Sequence, residues 1–404
     1  MKIHIVPEAR PAASPDTESC FPVTGGEARI ERSASAFSDE EWSEAFAGEA
    51  KDGRYHAIVQ STIRGDFAYR YLSVRDYRGR LRVLQPFFLT NQDLLVGVPA
   101  VVRSAAAAIR KLFPRFMMQL MLMAGCAAGE GHPGLLGDAA ESAAMLFESL
   151  DEYGRRQGAK MVTLKDFPKL NRARLEAGAA AAGYKRIPSF PGTVIEVSDY
   201  VHFDDYLARA VGKATRKSMR RKFRAADALQ PSLSFEVLSD PAPEAEALCA
   251  LYQQVYERSE FRFEALTPDY FRELSRQMPD TARFFVWRVA GRPVAMSATL
   301  VLDGKIYDNY LGLDYAVAHE RHLYYVTLRD IFNWAVQNGI TTYYSTPLDY
   351  EPKLRMRFRL APLDLYVKHL NRAINPIFGR VLPFLEPTRY DKILPKFSNA
   401  ADLV

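Results

Sequence analysis

The chain has 404 residues, beyond the roughly 100–200 usual for one domain, so two domains are expected. Hydrophobic residues make up 48% and charged residues 25%, which suits a packed globular protein and excludes a disordered one. The 23 Gly and 24 Pro exclude a collagen-like or low-complexity chain. Lys and Arg number 53 against 48 Asp and Glu, a net charge of +5, which bears on partners where it is concentrated.

Cys20, Cys126 and Cys249 are an odd, scattered set without CxxC spacing, which argues against disulfides and metal binding and for a reducing cytoplasm. The start lacks the apolar core of an export signal, and the greasiest run, 116–128, is too short to span a membrane. No transmembrane segment is expected.

Residues 1–25 read as a flexible leader, because 9–26 are rich in Ala, Pro, Ser, Thr and Gly without an apolar period. From Phe67 two β-rich runs flank Asp76 to Gly79, a hairpin signal. An alanine-rich helix near 100–112, an apolar run at 116–124 and a loop holding Gly125, Gly129, Gly131, Gly134 and Gly137 follow. Ala144, Phe147, Leu150 and Tyr153 then repeat at helical spacing, Gly158 marks a helix stop, and a strand follows.

The second half repeats this order. A hairpin at 284–302 turns at Gly291, a strand covers 305–313, and a helix stopping at Gly339 leads into a strand at 341–347. Asp166 with Lys169 follows the last strand of the first half, and Asp349 with Lys353 that of the second. The spacings are unequal but the order is kept, which reads as a duplication, with domains at 26–198 and 199–404.

Three segments, 203–227, 306–340 and 349–362, carry a resemblance. With the repeated order of elements they resemble the Gcn5-related (GNAT-like) acyltransferase superfamily in its FemAB-type tandem branch, nearest to bacterial proteins labelled peptidogalycan biosynthesis proteins. The resemblance implies an α+β fold, a tandem pair of mixed, mostly antiparallel sheets with flanking helices, each splayed near its middle to hold an acyl donor. It implies an N-acyl or aminoacyl transferase acting on a small-molecule or peptide amine. The donor is then a cosubstrate (aminoacyl-tRNA, acyl-carrier protein or coenzyme A) with no tightly bound cofactor.

Coenzyme A phosphates ordinarily rest on a glycine-rich turn opening a helix. The second half has no glycine from 313 until Gly339, whereas the first has Gly125, Gly129 and Gly131 ahead of a helix. A loose glycine motif of this kind reads first as a plain connector, and as the alternative Gly125, Gly129 and Gly131 are donor-binding candidates.

Between 209 and 224 stand Arg209, Lys213, Arg216, Lys217, Arg220, Arg221, Lys222 and Arg224, with no acid from 206 to 226. Read as one leading helix of the second domain, this is a positive stripe suited to the phosphates of tRNA, of a nucleotide-linked donor or of an anionic lipid surface, and Arg216, Arg220 and Arg221 are assigned to the donor. The alternative is a solvated helix face.

Lys353 would bring a point charge to a donor phosphate or to the oxyanion of acyl transfer. Because the attacking amine must be neutral, an acid–base group is needed beside it. Asp308, Tyr310, His319, His322, Tyr344 and Asp349 are candidates, and Asp349 and Tyr310 are preferred. Cys126 as a covalent carrier is a minor alternative. No serine nucleophile elbow, P-loop lysine or HExxH pattern occurs. The competing function is a non-catalytic module of this fold that binds nucleic acid or an anionic envelope surface.

Overall fold

Strands buried on both faces must be apolar at every position, and Phe284 to Trp287 meets that demand: Phe284 and Val286 face one core cluster while Phe285 and Trp287 face another. The structure, a computed structural model, describes residues 17–63, 65, 67–93, 108–111, 118–259 and 261–404.

Fifteen strands form two sheets among the described residues. They are β1 (Thr17–Val23), β2 (Gly26–Glu31), β3 (Ala68–Asp76), β4 (Leu81–Asp93), β5 (Met118–Ala124), β6 (Met161–Pro168), β7 (Lys185–Pro188), β8 (Gly192–Glu196), β9 (Leu233–Leu238), β10 (Ala282–Val289), β11 (Arg292–Leu302), β12 (Lys305–Leu313), β13 (Thr342–Ser345), β14 (Arg359–Ala361) and β15 (Leu363–His369). The first sheet runs β1-β2-β3-β4-β5-β6-β15-β7 and the second β14-β8-β13-β12-β11-β10-β9. Each has one parallel pair, β5 with β6 and β12 with β13, and is otherwise antiparallel.

Each parallel pair is joined by a crossover helix, Ala139–Arg156 in the first half and Leu323–Gln337 in the second. Gly158 and Gly339 follow them in left-handed backbone, φ 74° and 71°, the conformation a helix stop asks of glycine. Lys169 and Lys353 follow the equivalent strands β6 and β13. From β2 and from β9 onward the halves keep the same order of strands, down to the helices between β2 and β3 (Asp39–Ala45, Gly53–Thr62) and between β9 and β10 (Ala245–Tyr256, Pro268–Gln277), while β1 has no counterpart in the second sheet.

The last strand of each half crosses over. β8 pairs with β13 of the second sheet, and β15 returns to pair with β6 and β7 of the first. One core cluster is common to both halves, holding Tyr55, Phe88 and Met121 beside Tyr270, Phe271 and Met296. There the Tyr55 and Tyr270 hydroxyls lie 3.1 Å apart, and Arg54 pairs with Asp280 at 2.8 Å nearby.

Three expectations change. The leader does not extend to residue 25, because β1 pairs with β2 from Thr17 onward; alternating burial of Phe21 and Val23 offsets its unpromising composition. The basic segment is two helices, Phe203–Arg209 and Lys213–Ala228, the first ending at its C-cap Ala210 and the second starting after Gly212 at its N-cap. The alanine-rich helix near 100–112 lies mostly outside the described residues, of which 108–110 are helical.

Candidate active site

β12 and β13 stay paired only from Lys305–Thr342 to Asp308–Ser345. Beyond this β12 runs on to Leu313, while the other chain turns away through Leu348 and Asp349, both left-handed at φ 72° and 48°, into the helix Tyr350–Arg355. A cleft of about 1360 Å³ opens at the divergence. Residues of both halves line it, among them Lys165, Asp166 and Glu130 from the first and Glu264, Asp308, Tyr310 and Lys353 from the second.

Lys353 is buried at 5% exposure. Its Nζ donates to the carbonyls of Thr346 at 2.5 Å and Leu348 at 3.0 Å, which uses two of its three hydrogens. Burial pulls the ammonium down to about 8 from its ordinary 10.5, against the pull of Asp349 and Asp308. Asp308 accepts hydrogen bonds from the Ser297 and Tyr343 hydroxyls. Burial raises its carboxyl above the ordinary value, opposed by those hydroxyls and by Lys353.

A second group stands across the cleft. The Tyr310 hydroxyl donates to Glu264 Oε1 at 2.9 Å, and burial lifts the Glu264 carboxyl despite Lys165 and Tyr310. A register shift in β6 turns Lys165 and Asp166 toward this group, as bulges commonly re-aim side chains. Lys165 pairs with Asp166 at 2.6 Å and lies over the Phe263 ring at 5.0 Å. Burial lowers its ammonium pKa, yet Asp166 and Glu264 hold it above the ordinary value.

Lys353, Asp349 and Tyr310 thus share one cleft, together with Asp308 and Tyr344. Glu264, Lys165 and Asp166 escaped sequence reasoning. Glu264 sits in a loop without periodicity, and Lys165 and Asp166 belong to the opposite half.

The glycine loop is a packed connector at two of its three candidate glycines. Gly125 N–H donates to the Pro86 carbonyl at 2.9 Å and Gly131 N–H to that of Asp166 at 3.1 Å, so neither amide is open to a phosphate. A Cβ on Gly131 would stand 2.8 Å from the Lys165 carbonyl oxygen, which makes close packing the reason for glycine there. Gly129 does line the cleft. Cys126 is buried, with its thiol pushed up to about 11 by burial, the opposite of what a nucleophile needs.

Part of the basic stripe is already engaged: Arg209 with Asp205 at 3.1 Å, Arg220 with Asp204 at 3.6 Å, and Arg216 with the Ala208 carbonyl at 2.7 Å. Arg221 is exposed. Lys222 lies over the Tyr325 ring at 3.8 Å, and partial burial with Arg355 and Arg221 nearby lowers its pKa. Burial, Lys222 and Arg221 lower His322 in the same way. The inner end of the helix therefore brings cations to the start of the crossover helix Leu323–Gln337, where Arg321 is buried with Nη1 unpartnered.

Residues 213–353, the segment that builds most of this cleft, match the family model of the acetyltransferase (GNAT) domain. Among solved structures the chain is similar to L-PGS from Bacillus licheniformis, with 13% identity and TM-score 0.50, covering 87% of this chain and 96% of that one. It is also similar to FemX, with 12% identity and TM-score 0.51, covering 85% and 98%. No curated protein sequence matches it. The family match lies in the second half, and the likeness to these structures extends the tandem GNAT fold over both halves. A GNAT domain joins an activated acyl donor to an amine acceptor, and acyl transfer in general is the activity the domain supports. Among the described residues no helix is long and apolar enough to cross a membrane, and no group of His, Cys, Asp and Glu would hold a metal ion.

Proposed function

We propose that the protein is an N-acyl or aminoacyl transferase that joins a donor and an amine in the cleft between β12 and β13. The amine nitrogen attacks the acyl carbon, the bond to the leaving oxygen or sulfur breaks, and the amine's proton must leave. The observation that carries the reading is Lys353, a buried cation at the cleft wall with one ammonium hydrogen uncommitted, where a developing oxyanion gains most from fixed charge. Tyr310 and Glu264 take the proton: Tyr310 accepts it as its own hydroxyl hydrogen passes to Glu264, whose raised pKa suits a base. Asp349, whose charge favours the ammonium form of Lys353, is the further acid–base candidate.

The donor is aminoacyl-tRNA, an acyl-carrier protein or coenzyme A. Arg216, Arg220 and Arg221 with Lys222 and Arg355 suit its phosphates, and Gly129 borders the cleft. The three cysteines are free, which suits a reducing compartment.

The test follows acylated product by mass from those three donors with a panel of amines. Lys353→Ala is expected to lower turnover about 100- to 1000-fold with the fold intact. An equal rate for wild type and variant removes Lys353 from the chemistry. Failure of every donor while RNA binding persists favours the non-catalytic module.

A further inference from the structure

Six of the large apolar side chains that face solvent fall between residues 374 and 390: Ile374, Ile377, Val381, Phe384, Leu385 and Tyr390, with Ile377 62% and Phe384 58% exposed. The segment is firmly mounted. Asn371 Oδ1 accepts from the Ala373 and Ile374 amides, and Asn375 bonds the His369 amide and the Gly183 carbonyl, each at 2.9 Å. Within and beside the short helix Asn375–Val381, Phe378 and Leu382 turn inward onto the cluster of Met121, Met161 and Val367. Ile374, Ile377 and Val381 recur at helical spacing on the outward side, where they add nothing to the core.

The rim of this patch is cationic. Arg372, Arg380, Arg389 and Lys392 are exposed, and among the described residues none is ion-paired. Arg389 lies over the Phe384 ring at 4.9 Å. The nearby acids are turned to local use: Glu386 accepts from Thr388, and Asp391 from the Ile393 and Leu394 amides.

We propose that residues 372–392 form a docking face for a lipid surface bearing acidic headgroups. Apolar side chains enter the acyl boundary and the cations meet the headgroups, which is how interfacial segments bind. Charge selects this occupant over a second copy of the chain, because a symmetric pair would press the same cations together. The segment continues into Asp391 and Ile393, which line the cleft, so docking brings the cleft mouth beside the lipid.

The test is flotation of the full chain with vesicles of phosphatidylcholine, alone or mixed with phosphatidylglycerol. Wild type is expected to favour the acidic vesicles. Ile377→Ser with Phe384→Ser should weaken binding about tenfold or more, and Arg380→Gln with Arg389→Gln should erase the preference for acidic vesicles and its salt dependence. Phe384→Trp, which keeps the patch apolar, should add a blue-shifted emission on acidic vesicles. No flotation of wild type, or equal flotation by wild type and both double variants, overturns the proposal. So does a wild-type dimer that Ile377→Ser with Phe384→Ser dissociates, since a second copy would then own the face.

Discussion

Lys353 is almost fully buried, and burial brings its ammonium to about 8 rather than 10.5 although Asp349 and Asp308 pull the other way. If the charged form does the work, turnover should fall as pH rises through about 8. Lys353→Arg should remove that alkaline limb even while lowering the rate, because a guanidinium stays charged. Stability moves the other way. Between about 8 and 10.5 the unfolded chain holds a proton that the native state has released, so stability should rise with pH across that window. Lys353→Met should flatten the rise, as read from urea midpoints at successive pH values. A wild-type midpoint independent of pH there would mean that Lys353 titrates normally. Nothing local in the sequence marks its burial: its neighbours Glu351 and Arg355 pair with each other at the surface.

β12 shows how one strand serves two sides of a cleft. Tyr307 and Tyr310 both pack against the core shared by the halves, although residues three apart in a regular strand face opposite ways. The register shift between Ala298 and Thr299 on the partner strand β11 leaves Asn309 as the extra residue and reverses the alternation. Asp308 can therefore meet Tyr343 while Tyr310 meets Glu264. Further along, Gly312 lets the helix Ala245–Tyr256 press onto the strand, for a Cβ there would lie 2.6 Å from the Tyr252 nitrogen. Gly312→Ala should cost about 1–3 kcal/mol of stability, measured by urea unfolding, because the nearest obstacles are helix backbone. An unchanged midpoint would mean that the helix shifts without penalty.

The reciprocal crossing of β8 and β15 ties the two sheets together. A chain ending at residue 198 lacks β15, which separates β6 from β7, and also leaves half of the common core uncovered. Such a piece should aggregate, or show no cooperative unfolding by calorimetry, and co-expression with residues 199–404 should restore a soluble pair. A piece that melts cooperatively alone would mean that the exchange is dispensable. The cleft follows the same logic, since Lys165 and Asp166 reach it from one half and Lys353 from the other.

Much of this order was legible in the sequence because its signals are local. The hairpins declare themselves through Gly79 and Gly291, both with φ 80°, and the crossover helices through their period and their glycine stops. The recurrence of those signals is what suggests a duplication, and Lys353, Asp349 and Tyr310 are candidates from their place after and within equivalent strands, and the structure brings them to one cleft. Composition could not separate a phosphate cradle from a tightly packed turn at Gly125 and Gly131, since both demand glycine. It could not assign β8 or β15 to a sheet either, because a short apolar strand fits either edge until long-range pairing chooses. The Glu264–Lys165 encounter and the exposure of Ile377 and Phe384 depend on which surfaces the two halves cover in each other, a property of packing between distant residues that only the tertiary structure decides.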